Sequence, residues 1–412
     1  MSITRRVFLR NSALAVVGTS AIPSFLTRAA FGAEETGSRP KRLVVIFQRG
    51  AADGLNIVVP HGEPAYYAMR PSISIPRKEV LDLDGFFGLH PSLSPLQPIW
   101  AQKHLAIVHA AGSPDPTRSH FDAQDFMESG TPGMKATSDG WLNRTLHSLS
   151  APPDKSAFRA IALGPALPRI LGGPERAVAI NNINEFGVGG RAANPISNTF
   201  EAMYDHSSDS VLHGTGQETF DAAKMLKAAD PAKYKPAAGA DYPKGRFGDS
   251  LRQLAQLIKA NLGVQVAFAD IGGWDHHVNE GSTQGQIANV LRDFSQALAA
   301  FWADLGDLGE DTVMVTMSEF GRTARENGNR GTDHGHANVM FVIGGPVKGG
   351  RVYGHWPGLD QSQLYEGRDL AVTTDFRRVL GEAVAQHLGN MQLEQVFPGF
   401  GSQAGSFLKY LG

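Results

Sequence analysis

Three runs of apolar, largely β-branched residues each stop at a glycine-bearing loop carrying carboxylates or imidazoles, and this recurrence constrains the fold more than any other feature. The richest spans Thr312 to Asn338, TVMVTMSEFGRTARENGNRGTDHGHAN. Thr312 to Met317 lacks helical spacing and reads as a buried strand, and Glu319, Arg322, Asp333, His334 and His336 all follow its carboxyl end. Lys41 to Gln48 (KRLVVIFQ) is apolar through its middle, central in a sheet by that pattern, and runs into RGAADGLN with Asp53. Val264 to Ile271 runs into GGWDHHVNEG, with Asp275, His276 and His277. Two helices frame that third strand: Phe247 to Leu262, with one apolar face, and about Ser282 to Leu305. Helix, strand and ligand-bearing loop in alternation describe a doubly wound, mostly parallel sheet, whose loops converge on one edge.

The rest of the chain fits around that sheet. Leu105 to His109 reads as a strand leading into AAGSPDPTRSHFDAQDFMESG, where Ser119 to Glu128 is a helix with Ser119 as N-cap and Asp122 at the capping-box position. A hydroxyl there lies beside free amides and suits a nucleophile, although the same residue serves as an everyday cap. Gly140 to Leu149 reads as a helix and Phe158 to Leu163 as a strand, and His61 to Pro98 as an irregular excursion. From about 165 to 243 the periodicity weakens and Gly, Pro, Asn and Ser are frequent, the pattern of an inserted cap. Val339 to Ile343, Arg351 to His355 and Asp375 to His387 then read as strand, strand and helix completing the sheet.

Residues 1–33 read as an address. Arg5 and Arg6 stand together in TRRVFLR, and an apolar run from Ala13 to Leu26, broken by Gly18, Ser20 and Pro23, leads to small residues near Ala29 to Ala33. This is the pattern of a twin-arginine export signal, too short and weak for a stable membrane span. It implies a periplasmic or extracellular protein with the twin-arginine translocase as its partner during export. Residues 34–412 then form the folded α/β domain. With 38 Lys plus Arg against 40 Asp plus Glu, the formal charge of -2 makes no electrostatic case for nucleic acid. The chain has no cysteine, so any metal must be held by nitrogen and oxygen.

Carboxylates and imidazoles gathered on three loops at one sheet edge suit a divalent cation. The motifs TRRVFLR, RGAADGLN, TRSHFDAQ, GGWDHH, SEFGRT, GTDHGHAN and VKGGRVYG, in that order along nearly the whole chain, resemble the twin-arginine-exported family known as domain of unknown function 1501, related to the alkaline phosphatase and sulfatase superfamily. The resemblance implies a three-layer α/β sandwich with a mostly parallel sheet, one or two divalent ions (zinc, calcium or manganese), and hydrolysis of phosphate or sulfate esters. Carried over, Asp53, Ser119 and Glu319 correspond to one metal set, and Asp275, His277 and His334 to a second, with Asp333 beside them. His276 and His336 are either ligands or their neighbours, and Thr117 rivals Ser119 as nucleophile. One departure from the pattern is that Glu319 is followed by Phe320, while Asp333 and His334 come fourteen residues later. The nucleophile would be a metal-activated Ser119 or a water on the same metals, with Arg118 and Arg322 as oxyanion clamps. The substrate would be a small-molecule or polysaccharide ester. HExxH, GxSxG, GxxxxGK[ST] and GxGxxG are absent. The rival expectation is an exported metal-binding or polysaccharide-associated protein that keeps the fold without turnover.

Overall fold

The computed structural model describes residues 39–149, 156–183, 225–226, 233–401 and 406–412. The expected export signal lies outside them, as do residues 184–224 and 227–232 of the expected cap.

The apolar runs form strands β1 (Arg42–Gln48), β2 (Leu105–Gly112), β3 (Ala160–Leu163), β4 (Val178–Ile180), β5 (Val266–Ile271), β6 (Thr312–Ser318), β7 (Asn338–Gly344), β8 (Arg351–Tyr353) and β9 (Thr374–Asp375) of one nine-stranded sheet. Their order is β8-β2-β7-β6-β1-β5-β3-β4, with β9 also paired to β2. Only β7 runs against its neighbours β2 and β6, and every other pairing is parallel. β1 is central: Leu43 to Gln48 pairs with Val266 to Ile271 on one side, and Arg42 to Gln48 with Thr312 to Ser318 on the other. Every residue of β1 and β6 is buried, as an unbroken apolar run in a sheet covered on both faces requires.

The longer helices among the described residues are α1 (His120–Ser129), α2 (Trp141–Ser148), α3 (Arg246–Lys259), α4 (Gln286–Leu305) and α5 (Phe376–Glu382). Strand alternation divides the core into two layers. Val44, Ile46, Ala267, Ala269 and Met314 pack with Leu251 and Leu254 of α3 and Leu291 and Phe294 of α4. Leu43, Val45, Phe47, Val266, Phe268 and Val313 point the other way, toward Trp141 and Leu142 of α2 and Val379 and Leu380 of α5. This is the three-layer, mostly parallel α/β architecture the sequence implied.

Some boundaries move. β2 continues past His109 to Gly112 because β7 and β9 supply partners as far as Ala111 and Gly112. The α4 helix begins at Gln286 rather than Ser282, since Gly281 and Gly285 have φ of 95° and 108° and hold a turn there. The excursion from His61 to Pro98 contributes to a small three-stranded sheet of Val58–Val59, Gly88–Leu89 and Leu81–Asp82. Among the described residues no helix is long and apolar enough to cross a membrane.

Strand direction then fixes where the chemistry gathers. The loops leaving β1, β2, β5 and β6, and the segment entering the reversed β7, all lie at the same edge of the sheet.

Candidate metal centre

Helix α1 delivers the first ligand group. It starts at His120, and Arg49, just beyond β1, ties it to the sheet by donating to Asp270 of β5 (2.7 Å) and to Gln124 (2.8 Å) and Glu128 (2.9 Å) of α1. His120 then lies over Glu319 at the end of β6, its Nδ1 2.8 Å from Glu319 Oε1. Glu319 is buried and also accepts from Gly50 N–H (2.9 Å), Gln124 Nε2 (2.9 Å) and Ser318 Oγ (3.0 Å). Burial works against its ionisation, but these donors, His120 first, hold its carboxyl below the usual range. The hydrogen bond to Glu319 in turn raises the His120 pKa.

The loop before β7 brings in His334. It folds back on the residues after β6, with Gly321 N–H donating to His336 O (2.8 Å), Gly335 N–H to Gly321 O (2.8 Å) and Thr323 N–H to Asp333 O (2.9 Å). His334 Nε2 sits 3.0 Å from His120 Nε2 and 3.0 Å from His277 Nε2. The loop after β5 supplies His277 together with Asp275, whose Oδ1 is 2.9 Å from His277 Nε2 and 3.3 Å from His334 Nε2. Asp275 Oδ2 is 3.6 Å from His120 Nε2. Ligand atoms of His120, Asp275 and His334 lie within 4.8 Å of one another.

The far nitrogen of each ring decides what this cluster can bind. His334 Nδ1 faces the Arg118 carbonyl (3.0 Å), His120 Nδ1 faces Glu319, and His277 Nδ1 faces Asp333 Oδ1 (3.1 Å). Those partners only accept, so each Nδ1 carries a proton, and a ring that holds only that proton turns a bare Nε2 toward the other rings and Asp275. Three lone pairs this close repel one another unless a cation or a proton lies among them. Imidazoles anchored through Nδ1 to a carboxylate or carbonyl are how proteins orient metal-binding histidines. The donors present therefore fit a divalent cation, with His120, Asp275 and His334 as its core and His277 alongside. Solvent reaches the cluster: the side chains of Asp275 and His277 are 44% and 40% exposed, those of His120 and His334 26% and 24%.

The remaining expected residues surround the cluster in other ways. Arg322 is buried and donates to Asp275 Oδ1 (2.6 Å) and Thr332 Oγ1 (3.1 Å), so it orients that carboxylate. Although burial opposes it, Arg322 holds the Asp275 carboxyl below its ordinary pKa. Asp333 supports His277 and accepts from Asn327 Nδ2 (3.1 Å). The Arg118 guanidinium is engaged by Asp369 (2.6 Å) and Glu366 (2.7 Å), and only its carbonyl meets the cluster. His336 points away, with Nε2 3.0 Å from Ser113 O and its ring 4.6 Å from that of Tyr365. His276 is buried beneath the loop. Ser119 is the N-cap of α1 but makes no side-chain cap hydrogen bond, so the expected capping box is not formed and the hydroxyl stands exposed.

Asp53 does not join Ser119 and Glu319 around a second cation. Both of its oxygens are taken by the buried Arg70 guanidinium, one of them at 3.0 Å. Glu280 completes that network, accepting from Thr332 Oγ1 (2.8 Å), and burial beside the Asp53 charge raises its pKa well above the ordinary value. Burial and the Asp53 charge thus favour the protonated form of Glu280, and, although burial opposes it, Arg70 favours the ionised form of Asp53. The acids of this set are satisfied by the Arg70 guanidinium and by His120, and they do not fit a second ion. His120, Gln124, Arg70 and Glu280 were not singled out from the sequence, and the position of His120 directly after Ser119 was the one available signal.

Fold and site together define a three-layer α/β protein with a histidine–aspartate cluster that could hold a metal at the carboxyl edge of a mostly parallel sheet. Residues 40–395 match the family described as protein of unknown function (DUF1501), and the chain belongs to that family. No curated protein matches it. Among solved structures it is similar to the zinc complex of the C-terminal periplasmic domain of EcEptC from Escherichia coli, at 9% identity over 75% of this chain and 74% of that one, TM-score 0.36. It is also similar to the PsFucS1 sulfatase from Pseudoalteromonas sp., at 11% identity over 85% and 68%, TM-score 0.35. A phosphonate monoester hydrolase from Silicibacter pomeroyi is similar at 10% identity over 85% and 73%, TM-score 0.39. Likenesses this distant carry no argument about the chemistry of this chain.

Proposed function

We propose that the chain is an exported metal-dependent hydrolase of phosphate or sulfate esters that holds one divalent cation on His120, Asp275 and His334, with His277 as a further donor. The observation that carries this reading is the convergence of three imidazole Nε2 atoms beside the Asp275 carboxylate at a solvent-facing edge. An imidazole-rich set favours zinc or a similar first-row ion over calcium, which takes oxygen ligands. Bound there, the cation would supply Lewis acidity toward an ester oxygen and its nucleophile. The chain's own residues position the site: Glu319, the Arg118 carbonyl and Asp333 fix the three rings, and Arg322 fixes Asp275. With the Arg118 and Arg322 side chains already engaged, neither is free as the oxyanion clamp expected of it. The Ser119 hydroxyl, exposed and free of any cap bond, and solvent water are the two candidate nucleophiles. Arg5 and Arg6 in TRRVFLR support export by the twin-arginine translocase.

A second reading draws on the same donors. If His277 ligates together with the other three, four protein groups close a tetrahedral site, as in a structural or metal-binding protein without turnover. Elemental analysis of chelator-free protein, with Asp275→Ala and His334→Ala alongside, tests the centre. One ion per chain, lost in both variants, is expected, and an ion-free wild type would sink the proposal. Turnover of 4-nitrophenyl phosphate or sulfate by the loaded protein separates enzyme from binding protein. In that assay Ser119→Ala abolishes turnover if the serine attacks and leaves it standing if water does.

A further inference from the structure

Next to the metal centre lies a pocket of about 250 Å³ whose walls include Met69, Leu364, Arg325, Arg368, Gln361 and Asp333. Asp333 joins the two places, since it lines the pocket and supports His277. What the pocket offers a ligand follows from which lining groups are already satisfied. The Asp333 carboxylate accepts from His277 and Asn327. Glu326 spends its carboxylate on Ser72 N–H (2.9 Å), Ser72 Oγ (2.8 Å) and Ile73 N–H (3.1 Å). Glu326 is thus committed, and Asp333 is committed through its Oδ1.

The cations are less so. Arg368 uses one nitrogen on His334 O (2.8 Å) and holds Asp369 at 3.3 Å, yet its side chain is 39% exposed. Among the described residues the exposed Arg325 guanidinium has no hydrogen-bond or ion-pair partner, only its backbone carbonyl being used, by Thr323 Oγ1. Gln361 donates to Gly367 O (2.7 Å) and leaves its oxygen as an acceptor. Met69 and Leu364 add an apolar wall. Unpaired guanidinium donors, one free acceptor and a small apolar surface together ask for an anion, a hydroxyl and a compact carbon skeleton.

We propose that this pocket is a substrate subsite for an acidic sugar, a hydroxylated ring whose anionic group pairs with Arg325 and whose carbon face rests on Met69 and Leu364. It deepens the hydrolase reading, on which it rests only for what is then done to the ligand: the ester to be cleaved belongs to a charged saccharide.

Isothermal titration of the full chain with D-glucuronate, glucose and acetate tests it, repeated with and without one equivalent of zinc. Glucuronate should bind, and both glucose and acetate should bind about tenfold or more weakly by comparison, since each lacks one of the recognised features. Arg325→Ala should weaken glucuronate about tenfold or more, with Arg325→Lys retaining part of the affinity; both variants should melt with the wild type, because the side chain holds no other residue. Glucuronate binding that is undetectable, no tighter than acetate or glucose, or unchanged in Arg325→Ala overturns the inference. Failure of the metal reading is distinct: the protein would take up no zinc while glucuronate binding and its Arg325 dependence persisted.

Discussion

His334 owes its place in the cluster to partners that no local pattern announces: its Nδ1 is held by the Arg118 carbonyl, and its Nε2 meets two other rings. Such outer partners should matter nearly as much as the ligands. Asp333→Asn and Glu319→Gln are each expected to weaken metal affinity about 10–100-fold, read by competition against a chromogenic chelator. Asp53 behaves oppositely. Because its carboxylate belongs to Arg70, Asp53→Asn should keep the ion, whereas Arg70→Met strands a buried charge and should cost about 3–5 kcal/mol in urea unfolding. The double variant should recover part of that loss, and metal loss in Asp53→Asn alone would return this acid to the ligand set.

The fold-back between β6 and β7 explains how Glu319 and His334 serve one site although the chain places fourteen residues between them. Residues 321–323 and 333–336 run against each other as a short ladder, with Arg322 and His334 bridged. So close an approach leaves no room for a side chain at Gly335, where an added Cβ would lie 2.3 Å from the Arg322 carbonyl. Gly335→Ala is therefore expected to lower stability by about 1–3 kcal/mol and to weaken metal binding with it. Gly328, in the same loop but with nothing within 4 Å of its Cβ position, is the control, and Gly328→Ala should bind metal as the wild type does. Equal effects in chelator competition would mean that the ladder does not position His334. The clustering of Gly321, Gly331 and Gly335 was visible in the sequence as a loop; that it closes as paired backbone was not, because the glycines take their meaning from the strand they approach.

Across the whole molecule, three buried histidines far apart in the chain couple stability to pH. His90, His109 and His387 are each pushed down to about 4, first by burial, their ring nitrogens bound to the carbonyls of Ser282, Val58 and Arg42. An unfolded histidine titrates near about 6.5, so between that pH and about 4 the unfolded chain binds more protons and stability must fall on acidification. Urea midpoints should drop steadily below pH 6.5, and a His109→Gln variant should show a shallower decline. The sequence by itself determined the layers: unbroken apolar strands at the centre, amphipathic helices around them, and acids and histidines on the loops after β1, β5 and β6. Those readings depend on hydrophobic periodicity, which is local. Only the tertiary structure decided which loop residues meet. It brought in His120 from α1, gave Asp53 to Arg70 and Glu280, and turned His336 toward Ser113, because side-chain pairing at a sheet edge depends on strand order and on the reversal of β7, neither of which any single stretch of residues records.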